Sequence, residues 1–593
     1  MRLLNRPLVT IIIMFSRKKN KLGEHHFKQL ARDIDPDEIF LDASNLPEFD
    51  KHQFEGRIEA PIGKSAIWSV VLVFLLVEII FIGKVFSLQV VHGGELLAKS
   101  ENNRLEHTPI FATRGVVYDR RETLLAWNSF SSSTPVSLFA TTTTKELLFP
   151  RRSYIDLPGF SHVLGYLSYP KMDSNGFYYQ KLFIGKDGIE ESYNDVLEGE
   201  NGLRIVETDA LGKVAPGSII EEPKNGKDLT LSVDARVQTK LFTTIRSLAE
   251  DQNYMAGAGV IMDVSSGEIL ALTSYPEFDS SVLSDGSDRK LIQSYQTDKR
   301  SVFLDRTVSG VYTPGSILKP IMAAAALAEG VILPTKEILS TGSISIQNPY
   351  DPNLKSVFND WKAHGLVDMR RAIAVSSDVY FYEIGGGFES QKGIGIINIE
   401  KYARMFGLGV PTGIDLMGEK SGTIPSPTWK AATFKGEPWR LGDTYNTVIG
   451  QYGFQVTPLQ AARATASIAN DGTLVTPHLV KGLPQAVNVL KIPIASEHLS
   501  VAREGMRDAV QYGTVIGLNV GYVTVGGKTG TAELDSRKKF INSWVVGFFP
   551  YEKPRYAFAV VMERGPYSND IGGVYVMRQM LDWMWQNAPE YLL

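Results

Sequence analysis

The sequence predicts an α+β protein built on an antiparallel five-stranded sheet flanked by helices, with one membrane-spanning helix and a mixed β-rich region ahead of it. Three observations carry this. Two apolar runs, residues 259–264 and 268–273, are joined by Ser265-Ser266-Gly267 and read as a hairpin. Three further strand candidates lie near the C-terminus: 522–525 continuing past Lys528, 544–549 and 556–562. Helical segments separate the two groups, so the ends of this stretch must meet in one sheet.

The elements follow in order. Residues 66–83 (AIWSVVLVFLLVEIIFIG) are apolar on every face, bracketed by Lys64 and Lys84, with Glu78 the single interior charge. That length spans a hydrocarbon core, and a soluble core helix would carry a polar face. No small-residue cleavage site follows, so an uncleaved anchor is expected. Arg17, Lys18, Lys19 and Lys21 favour an inside N-terminus, although Arg104, Arg114, Arg120 and Arg121 follow the span. Residues 8–15 are too short to cross; an interfacial segment and a start at Met14 both fit them. Residues 1–65 read as a polar cytoplasmic tail, 66–83 as the anchor, 84–227 as a mixed strand-and-loop pedestal, and 228–593 as the main folded unit. The boundary is set at the turn Lys224-Asn-Gly-Lys227. Residues 229–233 alternate as a strand, and Asp234 caps a helix to about Glu250. A helix runs from Ser316 to about Glu329, ended by Gly330, and residues 574–585 form the last helix.

Composition narrows the function. The chain has 593 residues, 44% of them hydrophobic, and a net charge of -4. Nucleic-acid binding would call for a strong basic excess. There is no cysteine, which removes disulfides, thiolate zinc sites and cysteine nucleophiles.

The chemistry starts at Thr313-Pro-Gly-Ser316-Ile-Leu-Lys319. Serine and lysine three apart on a helix share a face. Serine needs a base to become a nucleophile. Lysine serves only when neutral, and moving its pKa from about 10.4 to near 7 costs on the order of 4 kcal/mol, which burial and a second cation can supply. A helix start also offers free N–H groups to an oxyanion. The pattern alone is weak, because serine precedes lysine by three at Ser16, Ser168, Ser287, Ser316 and Ser536. Two further motifs single out Ser316. Ser376-Ser377-Asp378 follows about 60 residues on, and Gly527-Lys528-Thr529-Gly530-Thr531 about 150 after that, on a predicted strand. A lysine and two hydroxyls along a strand edge suit a terminal carboxylate, and Gly530 leaves room for substrate backbone. Asp360 and His364 are a two-residue metal candidate, better read as surface or hydrogen-bonded groups, so no metal and no cofactor are expected.

The three motifs in this order are those of penicillin-binding proteins and class A β-lactamases. From the span to the C-terminus the chain resembles a class B penicillin-binding protein, most closely the elongation-specific penicillin-binding protein 2. The resemblance is carried by ATRGVVYDR at 112–120, GKDGIE at 185–190, DALG at 209–212, DVSSGEILALTSYP at 263–276 and WVVGFFP at 544–550. Gly413-Ile-Asp-Leu416, Ile424-Pro425 with Trp429-Lys430, Gly442-Asp443-Thr444, Gly450-Gln451, Thr457-Pro-Leu-Gln460 and aspartate at 378 point to the elongation subgroup. The resemblance implies the penicillin-binding and serine β-lactamase-like transpeptidase fold, and a D,D-transpeptidase that cross-links peptidoglycan stem peptides and is inhibited by β-lactams. It implies Ser316 as nucleophile, Lys319 as its base and Ser376 as proton relay. The Ser316 and Thr531 N–H groups would form the oxyanion hole, with Lys528, Thr529 and Thr531 holding the substrate carboxylate. Asp378 cannot donate as asparagine would, so it is expected to pair with Lys319 or Lys528. Arg121-Glu122 replaces the usual Asn-Gly turn. The implied partners are the lipid bilayer and a polytopic glycosyltransferase of the shape, elongation, division and sporulation family. The implied location is the bacterial inner membrane, single-pass, with the catalytic part on the periplasmic side. A bifunctional enzyme would need a glycosyltransferase domain for which 84–227 is too small. A β-lactamase would lack the pedestal, and a carboxypeptidase would have another domain order. The alternative of a different class is a non-catalytic sensor or scaffold that binds β-lactam or glycan.

Overall fold

The computed structural model describes residues 64–96, 105–129, 149–173, 178–207, 219–348, 351–482, 489–534 and 539–593. The tail up to residue 63, the 8–15 stretch and the 209–212 block lie outside these. The chain divides into two compact units, Met1–Glu101 and Asn102–Leu593.

In the first unit, helix α1 (Lys64–Phe86) is longer than the expected 66–83. Its apolar side chains are exposed on all sides. Among the described residues it belongs to the one segment, Ile67–Val91, long and apolar enough to cross a membrane.

The second unit is centred on five strands: β1 (Ala256–Asp263), β2 (Ile269–Tyr275), β3 (Gly526–Glu533), β4 (Phe540–Phe549) and β5 (Tyr556–Pro566). Every pair is antiparallel, as the sequence predicts, and the order is β2-β1-β5-β4-β3. Side chains alternate between faces along each strand, so the sheet builds two cores. Ile261, Val545, Phe558 and Val560 pack with α2 (Ala235–Asp251) and α7 (Gly573–Asn587). Val260, Trp544, Val546, Ala559 and Val561 face the larger core. That core contains α3 (Lys319–Ala328), α4 (Asp378–Gly386), α5 (Pro458–Ala469) and α6 (Ser496–Gln511). Asp234 caps α2 by accepting from Arg236 N at 2.9 Å, as expected.

Strand ends differ from expectation: β4 starts at Phe540 rather than 544, β5 runs to Pro566 rather than 562, and two expected strands are cut short. Residues 522–525 are not a strand, because their polar groups are used elsewhere. Tyr551 N donates to Thr524 O at 2.9 Å and the Arg507 guanidinium to Val525 O at 3.1 Å, so pairing with β4 starts at Gly526. The expected strand 229–233 is only Leu229–Thr230, paired parallel with Val117–Tyr118. Leu231 N and Ser232 N then turn to Tyr118 O and Leu479 O.

The segments before α2 form a four-stranded sheet (Leu229–Thr230, Val117–Tyr118, Leu124–Ser129, Arg151–Tyr154) and a three-stranded one (Leu105–Ile110, Gly202–Glu207, Ile219–Glu221). Two of the quoted sequence blocks meet here. Glu190 of GKDGIE is buried between Arg114 Nε at 2.6 Å and Arg152 Nε at 2.7 Å. Burial alone would raise its carboxyl, but the two guanidiniums hold it below the ordinary value. The Arg121-Glu122 substitution still makes a turn. Asp119 accepts from Arg121 N and Thr123 N, both at 2.8 Å, and Glu122 takes the left-handed φ of 67° that glycine would favour.

Candidate active site

Ser316 lies in a 3₁₀ turn, Gly315–Leu318, that runs into α3 at Lys319. A 3₁₀ turn has three residues per turn, so side chains three apart eclipse. Lys319 N–H closes the turn on Ser316 O, where the sequence predicts an α-helix starting at Ser316. Gly315 has a φ of 58°, and its N–H donates to Gly450 O at 3.0 Å. A Cβ on Gly450 would come within 2.3 Å of Gly315 O, so the Gly450-Gln451 block is a backbone seat for the Ser316 turn. Trp544 Nε1 pins the other side, donating to Thr313 O at 3.0 Å.

The second motif packs against this turn. Lys319 Nζ is fully buried and donates to Asp378 Oδ1 at 2.7 Å, Ser376 O at 2.8 Å and Ser376 Oγ at 3.3 Å. Of the two partners expected for Asp378, Lys319 is therefore the one in place. Ser376 has a φ of 60°, rare for a side-chain-bearing residue and costing on the order of 1–3 kcal/mol unless its surroundings impose it.

The third motif supplies the other cation. Lys528 Nζ, also fully buried, donates to Ser376 Oγ at 2.8 Å and to Thr529 O at 2.8 Å. The Ser376 hydroxyl thus sits between the two lysine Nζ atoms. Burial and the charge of Lys319 push the Lys528 pKa well below its ordinary value, with Asp378 opposing. Burial pushes the Asp378 carboxyl up, Asp360 adds to that, and Lys319 opposes it.

β3 is the edge strand of the sheet, so one row of its backbone groups is unpaired in the sheet. Thr529 Oγ1 donates to Thr514 Oγ1 at 2.7 Å, and Thr531 is exposed. A Cβ on Gly530 would lie 2.6 Å from Pro314 O. The strand therefore packs directly on the Ser316 turn, and Gly530 is needed for that packing before any substrate arrives. The described residues thus bring all eight expected site positions, Ser316, Lys319, Ser376, Asp378, Lys528, Thr529, Gly530 and Thr531, to the meeting of α3, α4 and β3.

Sequence reasoning gave no role to Gly450, Gln451, Thr514 or Trp544. Gln451 Nε2 reaches Thr531 O at 3.4 Å. Nor did it place Asp360, whose buried carboxylate accepts from Ser377 Oγ at 2.8 Å and Val379 N at 3.0 Å and lies 3.4 Å from His364 Nε2. Asp360 is hydrogen-bonded to Ser377 and Val379, and both side chains are buried, so of the surface and hydrogen-bonded readings only the second fits Asp360. Gly450-Gln451 was legible as a block, but only contact explains it.

Comparison with known proteins gives the same reading. The family model for the penicillin-binding protein transpeptidase domain matches residues 257–580, and that for the penicillin-binding protein dimerisation domain matches 145–231. The chain belongs to the penicillin-binding protein transpeptidase family. Peptidoglycan D,D-transpeptidase MrdA of Acinetobacter baumannii is 34% identical over 435 residues, covering 68% of this chain and 62% of that protein. The protein of the same name from Haemophilus influenzae is 27% identical over 585 residues, covering 83% of this chain and 87% of that protein. Among solved structures, the complex between penicillin-binding protein PBP2 and MreC from Helicobacter pylori aligns with a TM-score of 0.67 at 27% identity, over 82% of this chain and 99% of that one. A structure described as a peptidoglycan synthase complex that coordinates polymerization and crosslinking aligns at 0.66 with 26% identity, over 88% of this chain and 99% of that one. This family member is a peptidoglycan D,D-transpeptidase of the PBP2 type, working by serine-type acyl transfer.

Proposed function

We propose that this enzyme cross-links stem peptides during cell-wall elongation through an acyl-enzyme on Ser316. The observation that carries the assignment is the Ser376 hydroxyl held by both Lys319 and Lys528, with Lys319 one 3₁₀ turn from Ser316.

Ser316 Oγ attacks the carbonyl carbon between the two terminal D-alanines of a donor stem. Its proton passes to Lys319, which hands its own to Asp378, a carboxyl that burial makes a better acceptor. Ser376 relays a proton to the leaving nitrogen, the C–N bond breaks, and D-alanine departs. The N–H groups of Ser316 and Thr531 hold the oxyanion, and Lys528, Thr529 and Thr531 hold the donor carboxylate. An acceptor amine from a neighbouring strand then attacks the ester carbonyl and restores Ser316. A β-lactam follows the same first step and leaves the ring-opened acyl group on Ser316.

The division at residues 65, 83 and 227 into tail, anchor, pedestal and catalytic region is part of this reading. So is a single-pass placement in the inner membrane with the catalytic region in the periplasm, supported by the exposed apolar α1. The related structures show a PBP2 with MreC and a synthase complex that joins polymerization to crosslinking. They support a membrane polymerase of the shape, elongation, division and sporulation family as partner here.

The test uses the full chain in detergent with a fluorescent penicillin, read by intact mass. One adduct on wild type and none on Ser316→Ala is expected. An adduct that survives Ser316→Ala would place the nucleophile elsewhere.

A further inference from the structure

Asp360 lies outside the three motifs, on the segment leaving the strand Asp351–Asn359, yet it is bonded to Ser377 of the second motif and to Val379 just beyond it. Its Oδ2 accepts from Ser377 Oγ at 2.8 Å, Val379 N at 3.0 Å and Ser340 Oγ at 3.2 Å. Its Oδ1 accepts from Trp361 N at 2.8 Å and lies 3.4 Å from His364 Nε2. The side chains of Asp360 and His364 are 0% and 2% exposed. Ser377 is itself the cap of α4, accepting from Tyr380 N at 3.4 Å, and Ser340 Oγ lies 3.2 Å from Ser377 Oγ. The carboxylate therefore sits on the N-terminus of α4, where its charge is favoured and the first N–H groups need acceptors.

Ser376 is the residue that gains from this anchorage. Its left-handed backbone persists only if both flanks are held. One flank ends in α4. The other is the helix Met369–Ala374, whose last turn is closed by Ser376 N donating to Ile373 O at 3.2 Å and Ser377 N donating to Ala372 O at 3.0 Å. Asp360 supplies side-chain acceptors to residues 377 and 379, immediately beyond the strained position.

Resting on the Ser316 reading, we propose that Asp360 is a positioning residue for acyl transfer: it holds the 376–379 turn so that Ser376 Oγ lies between the two lysines and Asp378 meets Lys319. Asp360 touches neither the lysines nor the reacting atoms in this arrangement. It also faces Asp378 electrostatically, together with Lys319 from α3 and Lys528 from β3. His364 in turn faces Lys362 and Lys319. Removing the charge at 360 therefore eases ionisation of Asp378 without touching it.

The experiment measures the second-order rate of acylation by a fluorescent penicillin between pH 4.5 and 9, on the full chain in detergent. It compares wild type, Asp360→Asn, Asp360→Ala and Ser316→Ala, with thermal unfolding of each. Asp360→Ala should unfold cooperatively and acylate about 100-fold more slowly, the usual cost of displacing a reacting group by about 1 Å. Asp360→Asn keeps one acceptor oxygen and should recover most of that loss, and its acid limb should move to lower pH. A residue that only supports folding would lower the unfolding temperature and the labelled fraction while the labelled molecules react at the wild-type rate with an unmoved acid limb; that outcome overturns the inference. Wild-type rate and profile in both variants would overturn it as well. An unlabelled wild type, or label on Ser316→Ala, would bring down the Ser316 assignment and this inference with it.

Discussion

Gly530→Ala tests the site by geometry alone. The φ of Gly530 is not left-handed, so its backbone accepts alanine, and the only new feature is one methyl. That Cβ would lie 2.6 Å from Pro314 O, 2.8 Å from Ile317 Cγ2 and 3.3 Å from Ile317 N. Ordinary Cβ contacts begin at about 3.4 Å, so strand and turn must separate by about 0.8 Å. Neither side yields freely. The turn is pinned by Trp544 Nε1 on Thr313 O and by Gly450 O on Gly315 N, and β3 is paired with β4 from Gly526 to Glu533. The separation opens between Ser316 and Thr531, the two residues whose N–H groups are assigned to the oxyanion. Overpacking of this kind costs about 1–3 kcal/mol of stability. Misplacement of nearly 1 Å costs about 100-fold in rate. Stopped-flow acylation by a fluorescent penicillin, beside differential scanning calorimetry, measures both. A Gly530→Ala enzyme that acylates within about threefold of wild type would refute the placement of the oxyanion hole between turn and strand.

Other predictions address charge. Asp378→Asn should acylate about 100-fold more slowly near pH 8, at the low end of what a positioned proton acceptor contributes. Because burial raises the Asp378 carboxyl, wild type should lose activity on acidification before ordinary carboxylates protonate, and the variant should lack that limb in a pH–rate profile. Glu383, on α4, is pushed up to about 7 by burial and by Glu389. Its protonated form favours the fold, so its contribution is fully present below about 4.5 and lost as pH rises through about 7. After discounting for its partial exposure, Glu383→Gln should add about 1 kcal/mol at pH 8 and nothing near pH 4, read by urea titration at both. Glu190→Gln leaves Arg114 and Arg152 buried without their counter-charge and should cost about 3–5 kcal/mol. Its Glu190 carboxyl is held low, so the wild-type advantage should vanish as pH falls through that lowered value, which acid unfolding of the two proteins would show.

The strands were legible wherever apolar residues alternate, and their ends were not. Residues 522–525 carry the pattern of a strand, yet their carbonyls are taken by Tyr551 N and Arg507. Periodicity reports which face a side chain takes and says nothing about where a backbone group finds its partner. The same holds for Ser316. Its spacing from Lys319 was visible as one helical face, but the turn that carries Ser316 is 3₁₀ rather than α-helical. Asp360 had only a nearby histidine as a signal, because the hydroxyl and N–H it serves lie 17 and 19 residues away.

The sequence by itself determined the family and the sheet, and it pointed to one apolar helix of membrane length and to eight positions that the fold brings together, because each rests on residue type and local spacing. Tertiary structure alone decided how their charges are shared. Lys319 and Lys528 are more than 200 positions apart in sequence, and only the meeting of α3 with the edge strand puts both on one serine hydroxyl. The pairing of Asp378 with Lys319, and the burden of burial falling on Lys528, follow from that meeting. Electrostatic energy depends on distance and on exclusion of water, and neither quantity exists until the chain is folded.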